Sequence, residues 1–187
     1  VRELQAQLPA DLFADTFVTS LVADLRSVDA ETLGMVKAMP SLRRWTIAGD
    51  IPAEFLKDNA YVEQVALVLP SSIGASAFEN CPSLRIVLLS ASEERLTIGE
   101  NAFLDCFSLR TFLRTDDLGE AAYSELMWGY AETLLAASFR GVTFGQTAFK
   151  NCAFAFLTLT DCILAGDSVF ENNLSLQEAT LAVTGAA

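Results

Sequence analysis

The sequence predicts an α/β repeat fold, a solenoid of about seven to eight coils with short parallel strands and short turns or 3-10 segments. The first observation is a pattern, apolar-Gly-x-x-Ala-Phe-x-x-Cys-x-x-Leu, that recurs along the 187 residues at intervals of 20–26 residues. Such a period is typical of solenoids, in which each coil buries its apolar face against its neighbours. The second observation is the 13 phenylalanines, which this pattern largely explains.

The copies of the pattern differ in completeness. Those that start at Ile73, Ile98 and Phe144 carry the fullest version, whereas those at Ile51 and Ala165 keep part of it. With the more drifted copies included, the starts fall at residues 8, 31, 51, 73, 98, 118, 144 and 165. We therefore expect a single domain over residues 1–187. Within it, 8–30 is a drifted first repeat or an N-terminal cap, and 118–143 is an irregular repeat with an insertion.

A strand is predicted after each Cys position of the pattern. In the copy that starts at Ile73, the side chains of Leu84, Val87 and Leu89 point inward and exposed residues lie between them. Stacked coils place such strands side by side in a parallel sheet. The equivalent inward residues are Leu42, Trp45 and Ile47; Val62, Val65 and Leu67; Phe154, Leu157 and Leu159; and Leu176, Ala179 and Leu181.

The Ala-Phe step of each copy is predicted to form the opposite wall of the solenoid. Phe78, Phe103, Phe149 and Phe170 share one repeat position and should stack as an aromatic ladder. The small Ala before each of them allows adjacent coils to approach.

Glycine and asparagine recur where the chain bends. Gly74, Gly99 and Gly145 are expected to adopt backbone angles that other residues avoid. Asn80, Asn151 and Asn172 recur before the Cys position, and we expect their side chains to cap or bridge turns through hydrogen bonds.

The four cysteines favour a structural role. Cys81, Cys106 and Cys152 occupy one repeat position, which predicts a buried column of reduced thiols that pack as small hydrophobes. The alternative is a disulfide, for example between Cys152 and Cys162, as an exported protein would permit. No pair has C-x-x-C spacing, so the sequence indicates no zinc site, and we expect no bound metal.

Composition excludes several classes of function. The net charge is −12, which disfavours binding to the phosphates of nucleic acid and to anionic membrane surfaces. The chain has no histidine, so the commonest general base and the commonest metal ligand are missing. No apolar run is long enough to span a bilayer. We therefore expect neither an enzyme nor a cofactor, and no insertion of this chain into a membrane.

The run Ile98-Gly-Glu-Asn-Ala-Phe-Leu-Asp-Cys-Phe-Ser-Leu-Arg110 resembles the BspA-type leucine-rich repeat, also known as the Treponema pallidum-type repeat. The resemblance implies a right-handed leucine-rich-repeat solenoid in an extracellular or cell-surface protein. It also implies adhesion or protein binding without catalysis. Because the chain starts at Val1, we expect it to be part of a longer protein.

Two functions remain open at this point. The first is a cell-surface or secreted recognition module for protein–protein or protein–glycan binding. The second is an architectural spacer array within a larger surface protein. The repeat pattern identifies neither the ligand nor the oligomeric state, because binding specificity depends on the side chains of a particular site.

The first candidate site is the outward face of the predicted strands. Arginine forms hydrogen-bonding forks with carboxylates and stacks on aromatic or sugar rings, so this face predicts binding to an acidic protein segment or an anionic glycan. The alternative is that strands need polar outward residues and arginine is a common choice. The residues are Arg43, Arg44, Arg85 and Arg110, with Leu113 and Phe156 adding apolar contact.

The second candidate site is the insertion that follows Leu118. It brings together Tyr123, Met127, Trp128 and Tyr130, residue types that often anchor protein interfaces. The alternative is that these side chains fill a widened core.

Overall fold

The computed structural model describes residues 19–27, 30–90, 95–114 and 135–182, which form a parallel β-solenoid of about six turns. Every strand pair in these ranges is parallel, as stacked coils require. In chain order the elements are β1 (Ser20–Asp24), α1 (Ala30–Lys37), β2 (Arg44–Ala48), β3 (Gln64–Val68), β4 (Ser72–Ile73), β5 (Ile86–Leu89), β6 (Thr97–Ile98), β7 (Thr111–Arg114), β8 (Ala136–Arg140), β9 (Thr143–Phe144), β10 (Phe156–Thr160), β11 (Ile163–Leu164) and β12 (Glu178–Ala182).

Two sheets form the walls of the solenoid. The first sheet has the strand order β1-β2-β3-β5-β7-β8-β10-β12, and the second has the order β11-β9-β6-β4. Turns rather than helices close the coils, and α1 is the one α-helix among the described residues. The expected α/β class is therefore not confirmed, because the described coils contain almost no helix. The expected right-handed winding and the count of seven to eight coils stay predictions.

The inward residues of the first sheet were predicted correctly for the central coils. Leu84 and Val87 are fully buried, and Leu89 is 3% exposed. The parallel register aligns Trp45, Val65 and Val87 in one buried column. The last coil differs, because Leu176 and Leu181 are 37% and 75% exposed. No described strand follows β12 in the sheet to cover them.

The aromatic ladder is present as predicted. The ring centroids of Phe78 and Phe103 lie 5.0 Å apart with an interplanar angle of 8°, and those of Phe103 and Phe149 lie 4.9 Å apart at 7°. Phe149 and Phe170 continue the stack at 5.6 Å and 9°. The first three rings are fully buried, whereas Phe170 is half-buried at the end of the stack.

The repeated glycines serve close approach of the coils, so the expected reason for them was wrong. None of Gly74, Gly99 and Gly145 has a positive φ. A Cβ added to Gly74 would lie 2.4 Å from the backbone nitrogen of Ala53 in the preceding coil. At Gly145 the same atom would lie 2.5 Å from the backbone nitrogen of Glu100.

Left-handed backbone conformations fall instead on polar residues two and six positions after each glycine. Ser76 has a φ of 55° and Asn80 a φ of 56°. The corresponding residues after Gly99, Gly145 and Gly166 also have positive φ angles. Asparagine and aspartate tolerate this region better than most residues. The Nδ2 atom of Asn80 also donates to Oδ1 of Asp58 at 2.8 Å. This bond confirms the predicted bridging of turns by asparagine.

The repeat copy that starts at Leu118 lies outside the described residues, as do residues 8–18. Strands β6 and β9 pair directly in the second sheet, and Phe103 stacks directly on Phe149. No coil of the second wall stands between them. In the first sheet, β7 pairs with β8.

Candidate functional site

Three of the four arginines of the first candidate site, Arg43, Arg85 and Arg110, belong to a row that runs along the first sheet where its strands begin. Backbone hydrogen bonds join successive members: Glu63 N donates to Arg43 O at 2.8 Å, and Arg85 N donates to Glu63 O at 2.8 Å. The same bond joins Arg110 N to Arg85 O at 3.2 Å. We call this set the strand-entry row: Arg43, Glu63, Arg85, Arg110, Leu135, Ala155 and Gln177.

Two arginines of the strand-entry row share one carboxylate. Arg85 Nη2 donates to Glu63 Oε2 at 2.6 Å, and Arg43 Nη1 lies 3.6 Å from Glu63 Oε1. Arg43 also lies over the ring of Tyr61, with its guanidinium carbon 5.8 Å from the centroid. The three charged side chains are 32–42% exposed, so solvent screens the pairs and each contributes little to stability. These two guanidinium groups are already engaged within the protein.

Arg44 and Arg110 differ from this pair. Among the described ion pairs, neither has a carboxylate partner. Arg110 also lies against an open cavity of 490 Å³ at the C-terminal end of the strand-entry row. Its Nε atom is buried and has no hydrogen-bond partner. Of the four predicted arginines, Arg110 therefore combines a cavity with an unused donor.

The apolar members of the predicted site have different environments. Phe156 is 42% exposed at the start of β10, where a ligand can reach it. Leu113 is 7% exposed, although its strand position points outward, and so it offers little surface for contact. The outward-facing Ile86 and Leu88 are buried too. Apolar residues of this face are therefore buried in the central coils, and exposed ones lie toward its two ends, Val22 in β1 at 80% and Phe156 in β10 at 42%.

Sequence reasoning missed the segment that completes the cavity. Leu174 is 92% exposed and Leu176 is 37% exposed, and both line the cavity with Ser175 and Gln177. The repeat pattern assigned Leu176 to the core. The pattern did not indicate that Leu176 is exposed in the last described coil, because the burial of this residue depends on a neighbouring coil that packs against it.

The second candidate site lies outside the described residues. Nothing in the structure places Tyr123, Met127, Trp128 or Tyr130, so their role as interface anchors stays a prediction. No cluster of three or more acidic, cysteine or histidine residues in the described ranges has the geometry to hold a metal ion. No helix in those ranges is long and apolar enough to cross a membrane.

The cysteine column is internal. Cys81, Cys106 and Cys152 are at most 5% exposed, and all four cysteines are free thiols. The Sγ atom of Cys81 donates to Leu56 O at 3.0 Å, and that of Cys106 donates to Phe78 O at 3.0 Å. Each thiol thus caps a carbonyl of the preceding coil.

Asparagine replaces cysteine at both ends of this column and also donates to a backbone carbonyl of the preceding coil. Asn59 Nδ2 donates to Lys37 O at 3.2 Å, and Asn173 Nδ2 donates to Phe149 O at 2.8 Å. The interchange shows that this repeat position selects a small hydrogen-bond donor. A catalytic thiol is not required to explain it.

We expect the thiols of native protein to react in two groups. Dithionitrobenzoate should modify the half-buried Cys162 first, while Cys81, Cys106 and Cys152 react after denaturant is added. Thiol counting by absorbance before and after denaturation measures the two groups. Rapid labelling of all four thiols without denaturant would contradict a buried column.

The buried thiols also predict a dependence of stability on alkaline pH. Burial raises the pKa of Cys106 and Cys152 above the ordinary 9.0, so the unfolded chain loses these protons first. The free energy of unfolding should therefore fall as the pH rises above about 9, and should not depend on these groups below it. Urea denaturation at pH 7.5, 9 and 10 measures the slope. Cys106→Ala should make the slope shallower, and an identical slope would refute this assignment.

Comparison with known families agrees with the repeat geometry. The family model described as BspA type leucine-rich repeat region (6 copies) matches residues 59–125. This range contains the copies of the pattern that start at Ile73 and Ile98 and the beginning of the copy that starts at Leu118. Neither a curated protein nor a solved structure matches the chain. The expected resemblance to the BspA-type repeat is therefore confirmed over residues 59–125.

Proposed function

Because this chain carries a BspA-type leucine-rich repeat region over residues 59–125, we propose that it is a non-enzymatic recognition module that binds a protein partner through the strand-entry row. Leucine-rich-repeat solenoids are typically binding scaffolds without catalysis. We further propose that the module acts at the cell surface or after secretion, in an adhesion-like role. A glycan is the alternative ligand.

The observation that carries the proposal is the composition of the C-terminal end of the row. Leu174 and Leu176 are exposed and line the cavity with Arg110, whose Nε donor is unused. Phe156, which follows Ala155 of the row, is 42% exposed. Exposed aromatic residues and arginine are the residue types that most often supply binding energy at interfaces. The chain as a whole has a net charge of −12, so a row with three arginines and one glutamate is a local exception. Such a charge pattern favours a partner surface that is acidic at its centre.

The rigid geometry of the solenoid supports the same proposal. The parallel pairing of neighbouring strands fixes the positions of the outward side chains of successive coils relative to one another. Binding therefore requires little ordering of the protein, which lowers the entropic cost of association.

The spacer within a larger surface protein is the second candidate function. All five residues of β12 are exposed, and Leu181 is 75% exposed. An exposed strand edge presents unpaired backbone groups to which a further strand can bind. A further coil stacked on β12 would extend the array without requiring any ligand.

Binding measurements separate the two functions. The purified chain is tested by surface plasmon resonance against panels of immobilised extracellular proteins and of glycans. A recognition module should bind at least one protein saturably, whereas a spacer should bind none. The double variant Phe156→Ser, Arg110→Gln should weaken that binding at least tenfold without changing the thermal unfolding midpoint. The matched control is Phe107→Ser, since Phe107 is 59% exposed but lies in a turn and not on a strand of the first sheet. Equal loss of binding in the control would count against this face.

A further inference from the structure

We propose that the cavity beside Arg110 binds the side-chain carboxylate of an aspartate or glutamate presented by a protein partner. The inference rests on the proposed function and narrows it to one guanidinium group and one ligand chemistry.

The first step is the difference among arginines of the same row. Arg43 and Arg85 both lie within ion-pair distance of Glu63, and the pair with Arg85 is a direct hydrogen bond of 2.6 Å. No described carboxylate lies within that distance of Arg110. Within the row, Glu63 thus shows which group the other two guanidinium groups bind. Arg110 has the same repeat position as they have and lacks that group.

The second step is the state of the Arg110 donor. Its Nε atom is buried without a hydrogen-bond partner. A buried donor that has lost its water and gained no acceptor is unfavourable, and an acceptor that reaches it recovers the lost interaction. A carboxylate forms a two-bond fork with a guanidinium group when it reaches Nε and a terminal nitrogen together. Such a fork requires the Arg110 side chain to turn its buried Nε toward the cavity, which Arg110 lines.

The third step is the lining of the cavity. Leu135, Ala155 and Leu176 provide apolar walls, and Ser175 and Gln177 provide polar side chains. An aspartate or glutamate side chain matches this mixture, because its methylene stem can contact the walls while its carboxylate meets the guanidinium group. Arg110 is the one cation among the residues that line the described cavity. A single positive charge suits a carboxylate better than a doubly charged phosphate.

The test uses a defined acidic probe and the arginine side chain itself. Hexaglutamate peptide is titrated into the 15N-labelled chain, and the Nε–Hε resonances of the arginines are followed by NMR. The Arg110 resonance, assigned from its loss in Arg110→Lys, should shift saturably. The Arg85 resonance should stay in place because Glu63 already occupies that group. Hexaglutamine should shift neither, since it is uncharged.

Variants of equal charge provide the quantitative control. Arg110→Gln should weaken hexaglutamate binding at least tenfold, whereas Arg43→Gln should change it less than twofold. Both variants remove one positive charge from the same row, so a general electrostatic attraction predicts equal losses. Equal losses, or an Arg110 resonance that does not move, would overturn the proposal. Preferential displacement of the peptide by a sulfated oligosaccharide would also overturn it, in favour of a glycan.

These outcomes are distinct from those that test the proposed function. If the protein panel yields a partner that depends on Phe156 but hexaglutamate leaves Arg110 unaffected, the carboxylate site is wrong and the recognition module stands. If hexaglutamate binds at Arg110 but no panel protein binds, the site stands and the wider function fails.

Discussion

Phe103→Ala should lower the free energy of unfolding by about 3–5 kcal/mol, the range for truncating a large aromatic side chain in a protein core. Phe103 is fully buried and stacks on both sides, on Phe78 at 5.0 Å and on Phe149 at 4.9 Å. Its removal therefore opens a cavity in the middle of the ladder and takes away two stacked contacts. The backbones of the adjacent coils are fixed by parallel hydrogen bonding, so they cannot collapse to fill the space.

Urea denaturation followed by circular dichroism measures this loss. Phe107→Ala is the matched control, because Phe107 lies four residues away and is 59% exposed. It should change the free energy of unfolding by about 0.5 kcal/mol or less, as is usual for surface positions. A Phe103→Ala variant that unfolds at the wild-type urea concentration would show that the proposed ladder does not stabilise the solenoid.

Gly145→Ala should destabilise the protein by about 1–3 kcal/mol, the cost of forcing additional atoms into a well-packed site. The added Cβ would lie 2.5 Å from the nitrogen of Glu100 and 2.8 Å from the carbonyl carbon of Gly99. Both obstacles are backbone atoms of the neighbouring coil, so they cannot rotate away as a side chain can. The coils would have to separate, which strains the pairing of β6 with β9.

Gly34→Ala is the control with the opposite expected sign. Gly34 lies inside α1, and a Cβ added there meets no atom within 4 Å. Alanine is a better helix former than glycine by about 0.8–1.0 kcal/mol, so this variant should be at least as stable as the wild type. If Gly145→Ala were equally well tolerated, close approach of the coils would not explain the glycine of the repeat.

Much of the fold was predictable because a repeat position specifies the same environment in each coil. Phe78 and Phe103 occupy the same repeat position, which was enough to predict that their rings stack. Cys81 and Cys106 also share a repeat position, which was enough to predict that they lie in one buried column. The prediction failed where the pattern had a physical cause other than the one assigned. Gly74 matched a bend, but its conformation is ordinary and the contact with Ala53 explains it.

The pairing of β6 with β9 shows a different limit. The sequence has a drifted copy of the pattern at Leu118, between these two strands, and yet β6 and β9 are direct neighbours in the second sheet. Sequence spacing reports only how far apart two copies are along the chain. It does not report which strands become neighbours across an insertion.

The sequence predicted that the arginines of the candidate site form a row, but not which of their guanidinium groups lack a partner within the protein. Arg85 and Arg110 occupy the same repeat position, and the sequence alone aligned them correctly. Their difference arises from neighbours in space, since Glu63 reaches Arg85 while the cavity borders Arg110. Leu113 likewise alternates to the outward side of its strand, and yet it is buried.

The sequence by itself determined the repeat, its inward residues, the aromatic ladder and the alignment of the arginines. These properties follow from side-chain size and polarity at a fixed period, which each coil encodes locally. Only the tertiary structure decided the close contact at each glycine, the pairing of Arg43 and Arg85 with Glu63, and the unsatisfied donor of Arg110. These properties depend on distances of a few ångströms between atoms of different coils, and no single coil of the sequence contains that information.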